Sequence, residues 1–120
     1  MSKYKRDIDK NILNAIVKLQ WPLLNNEGKL VYVRANARNE DGFEHIAGKN
    51  HYLKVRDIEQ IPKILKKPYK IINENKGRKG KSYFGIRKGD NKSKYLKIIV
   101  RKRKDGNEEI ITVYPNKEVK

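Results

Sequence analysis

The chain contains no cysteine. That excludes a disulfide framework, a thiolate metal site and a cysteine nucleophile. It has only two histidines, six residues apart, so a zinc site of the HxxxH kind lacks both its spacing and its further ligands. No run of 18 apolar residues occurs and no basic amphipathic helix dominates, so membrane association is not expected. No apolar stretch follows the charges of residues 1–7, so no signal peptide is expected. A cytoplasmic protein is expected, or one delivered into a target cell by a route that the sequence does not show. Walker-type loops, GxSxG and dinucleotide fingerprints are also missing.

Acidic residues are scarce where basic ones are dense. The 120 residues carry 30 Lys and Arg against 14 Asp and Glu, a net charge of +16. Residues 1–60 hold 11 basic and 8 acidic side chains, whereas residues 61–104 hold 17 basic and 2 acidic. Solubility alone does not require that asymmetry; a polyanionic partner such as RNA or DNA does. The same scarcity removes the paired carboxylates that two-metal nuclease chemistry needs, so neither a metal nor an organic cofactor is expected.

The length suits one domain with one core. Residues 7–19 read as a helix, with Ile8, Ile12, Ile16 and Leu19 on one stripe, stopped by Trp21-Pro22. Asn25-Asn26-Glu27-Gly28 is a turn and residues 30–35 a short strand. A short helix around residues 43–51 would put His45 and Lys49 on one face. Residues 55–66 read as helical, with Ile58, Ile61 and Leu65 on one side and a break expected at Pro62.

Four strands complete the chain: residues 69–74, 82–87, and the two arms of a hairpin over residues 94–115. A basic, glycine-punctuated loop over residues 75–81 joins the first two. Asp105-Gly106 between β-branched runs predicts a two-residue hairpin loop. Its register puts Arg103 opposite Glu108, Lys102 opposite Glu109, Val100 opposite Ile111 and Ile98 opposite Val113. On the other face Lys97 meets Tyr114, Ile99 meets Thr112 and Arg101 meets Ile110. The expected fold class is α+β: N-terminal helices packed on one face of a four-stranded antiparallel sheet.

Metal-free chemistry on a polyanion remains open to such a chain. RNA supplies its own nucleophile, the 2′-hydroxyl, and needs only an acid, a base and cations around the phosphate. His45 or His51, Lys97, Arg101, Thr112 and Tyr114 are the candidates. Lys49, Lys70, Arg78, Lys79, Lys81 and Arg87 are further cations expected to hold phosphates. The alternatives are a non-catalytic basic module that grips RNA or DNA, or one that blocks a nucleic-acid-guided complex. Tyr69, Tyr83, Phe84, Tyr95 and Tyr114 would then serve as stacking surfaces.

Several segments together resemble a known group. They are Glu44-His45-Ile46 with His51, residues 57–65 with Pro68, residues 95–100 and residues 110–114. The chain is similar over residues 42–115 to the phage- and mobile-element-associated nucleases of the barnase/EndoU/colicin/RelE (BECR) superfamily. The resemblance implies a nuclease-like core over residues 42–115, with residues 1–41 an extension of unknown role. It implies a metal-independent, toxin-like endoribonuclease that leaves a 2′,3′-cyclic phosphate. It places the helical histidine on His45, the strand cation on Lys97 and the last-strand hydroxyl on Thr112, with His51 and Tyr114 beside them. It also implies RNA as the substrate, tRNA among the candidates, and an acidic antitoxin or immunity partner.

Overall fold

The computed structural model describes residues 7–34, 46–48, 52–73, 80–87 and 92–120. It is α+β, as expected, but its sheet is larger and of mixed direction. Helix α1 spans Lys10–Lys18 and α2 spans Val55–Lys66. The strands are β1 (Leu23–Leu24), β2 (Leu30–Val33), β3 (Lys70–Asn73), β4 (Lys81–Ile86), β5 (Tyr95–Lys102) and β6 (Glu108–Asn116), in the sheet order β1-β2-β6-β5-β4-β3.

Helix α1 starts later than its apolar stripe suggested, because Asp9 is its N-cap. The Asp9 carboxylate accepts hydrogen bonds from the backbone N–H of Asn11 (2.9 Å) and Ile12 (3.3 Å). Ile8 lies in extended chain and forms a single antiparallel bridge with Gly48. Ile12 and Ile16 are buried, and the Trp21 indole donates to the Ile16 carbonyl at 2.9 Å, closing the helix end.

Helix α2 runs through Pro62 without the expected interruption. Proline has no N–H to give the Ile58 carbonyl, so one helical bond is forgone. Ile58, Ile61, Ile64 and Leu65, buried on both sides of Pro62, outweigh that loss; each buried aliphatic side chain contributes roughly 1.5–3 kcal/mol. At its start the Asp57 carboxylate accepts from the Lys54 N–H at 2.8 Å, and the Asp57 N–H donates to the Lys54 carbonyl at 2.9 Å.

The four C-terminal strands form the expected antiparallel meander, β3-β4-β5-β6. The other edge of β6 pairs in parallel with β2, and β1 pairs antiparallel with β2. Residues 23–24 and 30–33, which lie before the expected nuclease-like core, are therefore part of the sheet. Val31 and Leu23 join the hydrophobic cluster in which Ile12, Ile16 and the α2 isoleucines meet Tyr83, Leu96, Ile98, Val100, Ile110 and Val113. Both helices cover this one face. At Gly85, a Cβ would stand 2.2 Å from Cγ1 of Ile64, so α2 rests directly on the β4 backbone.

The hairpin loop differs from expectation by one residue. The Arg103 N–H donates to the Asn107 carbonyl (2.7 Å) and the Gly106 N–H to the Arg103 carbonyl (3.1 Å), with Gly106 at φ +88°. This is a three-residue loop ending in a left-handed glycine. The turn end is thereby shifted: Lys102 faces Glu108, Arg101 faces Glu109 and Val100 faces Ile110. Ile111 is left without a partner as a bulge, which restores the expected pairing at Ile99–Thr112, Ile98–Val113 and Lys97–Tyr114.

Candidate nucleic-acid interface

Alternation along β5 sends Leu96, Ile98 and Val100 toward the helices and Lys97, Ile99 and Arg101 to the opposite face. Register across the meander then builds two rows on that opposite face. The first holds Lys70, Phe84, Lys97 and Tyr114; the second holds Ile72, Ser82, Ile99 and Thr112. Three of the candidate catalytic residues, Lys97, Thr112 and Tyr114, are brought onto one surface, with the candidate phosphate contacts Lys70 and Arg101 on the same face.

Lys97 is the unusual member. Only 8% of it is exposed, yet it is a lysine. Its Nζ lies 5.6 Å from the Phe84 ring centroid and 5.7 Å from that of Tyr114, and it donates to the Lys120 carbonyl at 2.6 Å. Among the described residues no Asp or Glu side chain lies within ion-pair distance of it. Buried charges are ordinarily matched by a counter-charge, because desolvation is costly. Here two ring faces and a main-chain oxygen of Lys120, the last of the 120 residues, face the ammonium. Beneath the second row, the Ser82 hydroxyl is buried without a hydrogen-bond partner.

The other cations divide. Arg101 is paired with Glu109 across the hairpin, a consequence of the shifted register. Arg103 lies over the Tyr32 ring at 4.2 Å. Lys70 is exposed at the sheet edge. Arg87, expected to hold phosphate, is turned inward instead: its guanidinium makes two bonds to the Asp57 carboxylate (2.9 and 2.8 Å) and a third to the Ser93 carbonyl (3.2 Å). With 5% exposure it ties the start of α2 to the end of β4. His45, His51, Lys49, Arg78 and Lys79 lie outside the described residues.

Lys81 belongs to the helix-side face. Its Nζ reaches Glu108 at 2.9 Å and Glu27 at 3.3 Å. Glu108 also accepts from the Tyr83 hydroxyl (2.6 Å) and the Asn25 amide (3.0 Å). Burial first, then the Glu108 carboxylate, pushes the Tyr83 pKa up to about 12. Burial works against the Lys81 ammonium, but Glu108 and Tyr83 outweigh it and hold that group above the usual lysine range. A cleft of about 400 Å³ opens here, lined among others by Glu27, Lys29, Lys81, Lys102 and Glu108. The Glu108 carboxylate already accepts from three donors, so the cluster is read as a clamp holding the Asn25 turn to the sheet.

Sequence reasoning missed Ser82 and the ring of Phe84 as a wall of the Lys97 site. Extending the hairpin register by one more strand would have placed both. The Lys120 carbonyl had no sequence signal. Among the described residues no group of three or more His, Asp or Glu is placed to hold a metal ion, and no helix is long and apolar enough to cross a membrane.

The chain matches no family model, no curated protein and no solved structure.

Proposed function

We propose that this protein is a metal-independent endoribonuclease whose site is the sheet face opposite the helices. The observation that carries the reading is Lys97: a buried ammonium walled by Phe84 and Tyr114, on the same surface as Thr112, with no Asp or Glu side chain beside it among the described residues. A phosphate is the counter-anion that suits such a pocket in a chain of charge +16. In the proposed reaction a base takes the proton of the 2′-hydroxyl and O2′ bonds to phosphorus. The 5′-oxygen then leaves with a proton from an acid, giving a 2′,3′-cyclic phosphate. Lys97 stabilises the charge that develops on the phosphorane, Thr112 hydrogen-bonds a non-bridging oxygen, and His45, with His51 and Tyr114 as the other candidates, exchanges the protons.

The meander with helices on one face suits the BECR superfamily resemblance, in which β2 and β1 would be additions to a four-stranded core. An acidic antitoxin or immunity protein is the partner class this reading proposes, covering the same cationic face. The second reading, a binder that does not cut, draws on the same rows and on Arg103 over Tyr32.

One experiment separates them. Labelled RNA is incubated with the protein in EDTA, alongside Lys97→Met, Thr112→Val and His45→Ala. Cutting by the wild type, slowed by about 10²–10³-fold in Lys97→Met or Thr112→Val, is expected for lost transition-state donors. Cutting that needs Mg²⁺, or that ignores all three substitutions, overturns the nuclease reading. Binding without cutting supports the second.

A further inference from the structure

We propose that Tyr69 and Tyr95 form a stacking subsite for one unpaired nucleobase, so that the strand held at Lys97 is single-stranded RNA. This deepens the proposed function and rests on it. The two rings lie 5.6 Å apart at an interplanar angle of 34°, where β3 begins, β4 ends and β5 starts. Tyr69 is 58% exposed, and Ile86, directly opposite Tyr95, is 55% exposed. The ring pair and the exposed Ile86 lie at the same strand ends, and clustered apolar side chains at a surface are a mark of a binding site.

What surrounds them decides the occupant. Lys70 follows Tyr69 and Lys94 precedes Tyr95, and both are exposed. Lys97 is two residues beyond Tyr95 on the same strand face, about 7 Å along β5. A ring face flanked by cations matches a nucleotide, which offers a flat base beside a phosphate. A lipid tail or a hydrophobic peptide offers no anion to Lys70, Lys94 and Lys97. In a duplex the bases are stacked on one another and present no free face, so only a single strand or a loop can use the site.

The test is equilibrium binding of three labelled 2′-O-methyl RNAs, which lack the attacking hydroxyl: an intact single strand, the same strand with abasic positions, and the duplex. Wild type is expected to favour the intact strand over the abasic one by about tenfold or more. Tyr69→Ala and Tyr95→Ala should abolish that preference without changing affinity for the abasic strand, and Tyr69→Phe and Tyr95→Phe should keep it. Equal affinity of the wild type for intact and abasic strands, or a preference that survives both alanine substitutions, overturns the subsite. If the preference holds while Lys97→Met and Thr112→Val leave cutting untouched, the catalytic reading fails and the subsite stands. If no strand binds, both fail.

Discussion

Arg87, just past the end of β4, and Lys97, on β5, are both cations and both nearly buried, but their surroundings differ. Arg87 has a full counter-charge in Asp57 and three hydrogen bonds, so it holds the structure together. Lys97 has two ring faces and a main-chain oxygen of Lys120 but no Asp or Glu side chain, and the proposed function gives it a phosphate. Asp57→Asn leaves the Arg87 charge buried and uncompensated and should cost ~3–5 kcal/mol of stability in urea unfolding. The double variant Asp57→Asn/Arg87→Met should recover part of that loss. Tyr83 provides a pH prediction. Its hydroxyl ionises near pH ~10 in the unfolded chain, but only near about 12 in the fold. Its contribution is therefore fully present below pH ~10 and is lost as pH rises toward 12. Lys81, also raised, acts in the same direction. Urea midpoints should fall between pH 9 and 11.5, and Tyr83→Phe should flatten the fall.

Among the elements, those with local causes were legible and those with distant causes were not. The stripe of Ile12 and Ile16 identifies α1, and alternation in residues 96–100 identifies β5, because helix and strand periods are written in neighbouring residues. The loop at Asp105-Gly106 was legible as a turn but not in its length. A glycine tolerates positive φ in two- and three-residue loops alike, so the register that brings Arg101 opposite Glu109 is visible only in the fold. Pro62 was misread because propensity is local, whereas the burial of Ile58, Ile61, Ile64 and Leu65 is tertiary. The seat of α2 on β4 is tested at Gly85. Gly85→Ala drives a methyl into Ile64 and should destabilise by ~1–3 kcal/mol. A thermal midpoint equal to that of wild type would show that the helix can move aside.

For the molecule as a whole, charge is the dominant property, and its effect should be visible in salt. If about four phosphates are held by lysines and arginines, the logarithm of affinity for single-stranded RNA should fall with a slope of about −2.8 against the logarithm of salt concentration. Lys97→Met should make that slope shallower by about 0.7, whereas Tyr69→Ala should leave it unchanged, because a stacked base releases no counterion. An affinity independent of salt would contradict a phosphate-gripping surface altogether. From residue order alone one could read the α+β class, the antiparallel meander, the cationic second half and the face shared by Lys97, Thr112 and Tyr114. All of these follow from periods of two and 3.6 and from counting charges. Only the folded chain decided that β2 would cover the bare edge of β6 in parallel, that Arg87 would turn inward to Asp57, and that Lys97 would be enclosed by Phe84. Those outcomes join residues far apart in the chain, where burial and the satisfaction of backbone and charge are settled by packing rather than by neighbours.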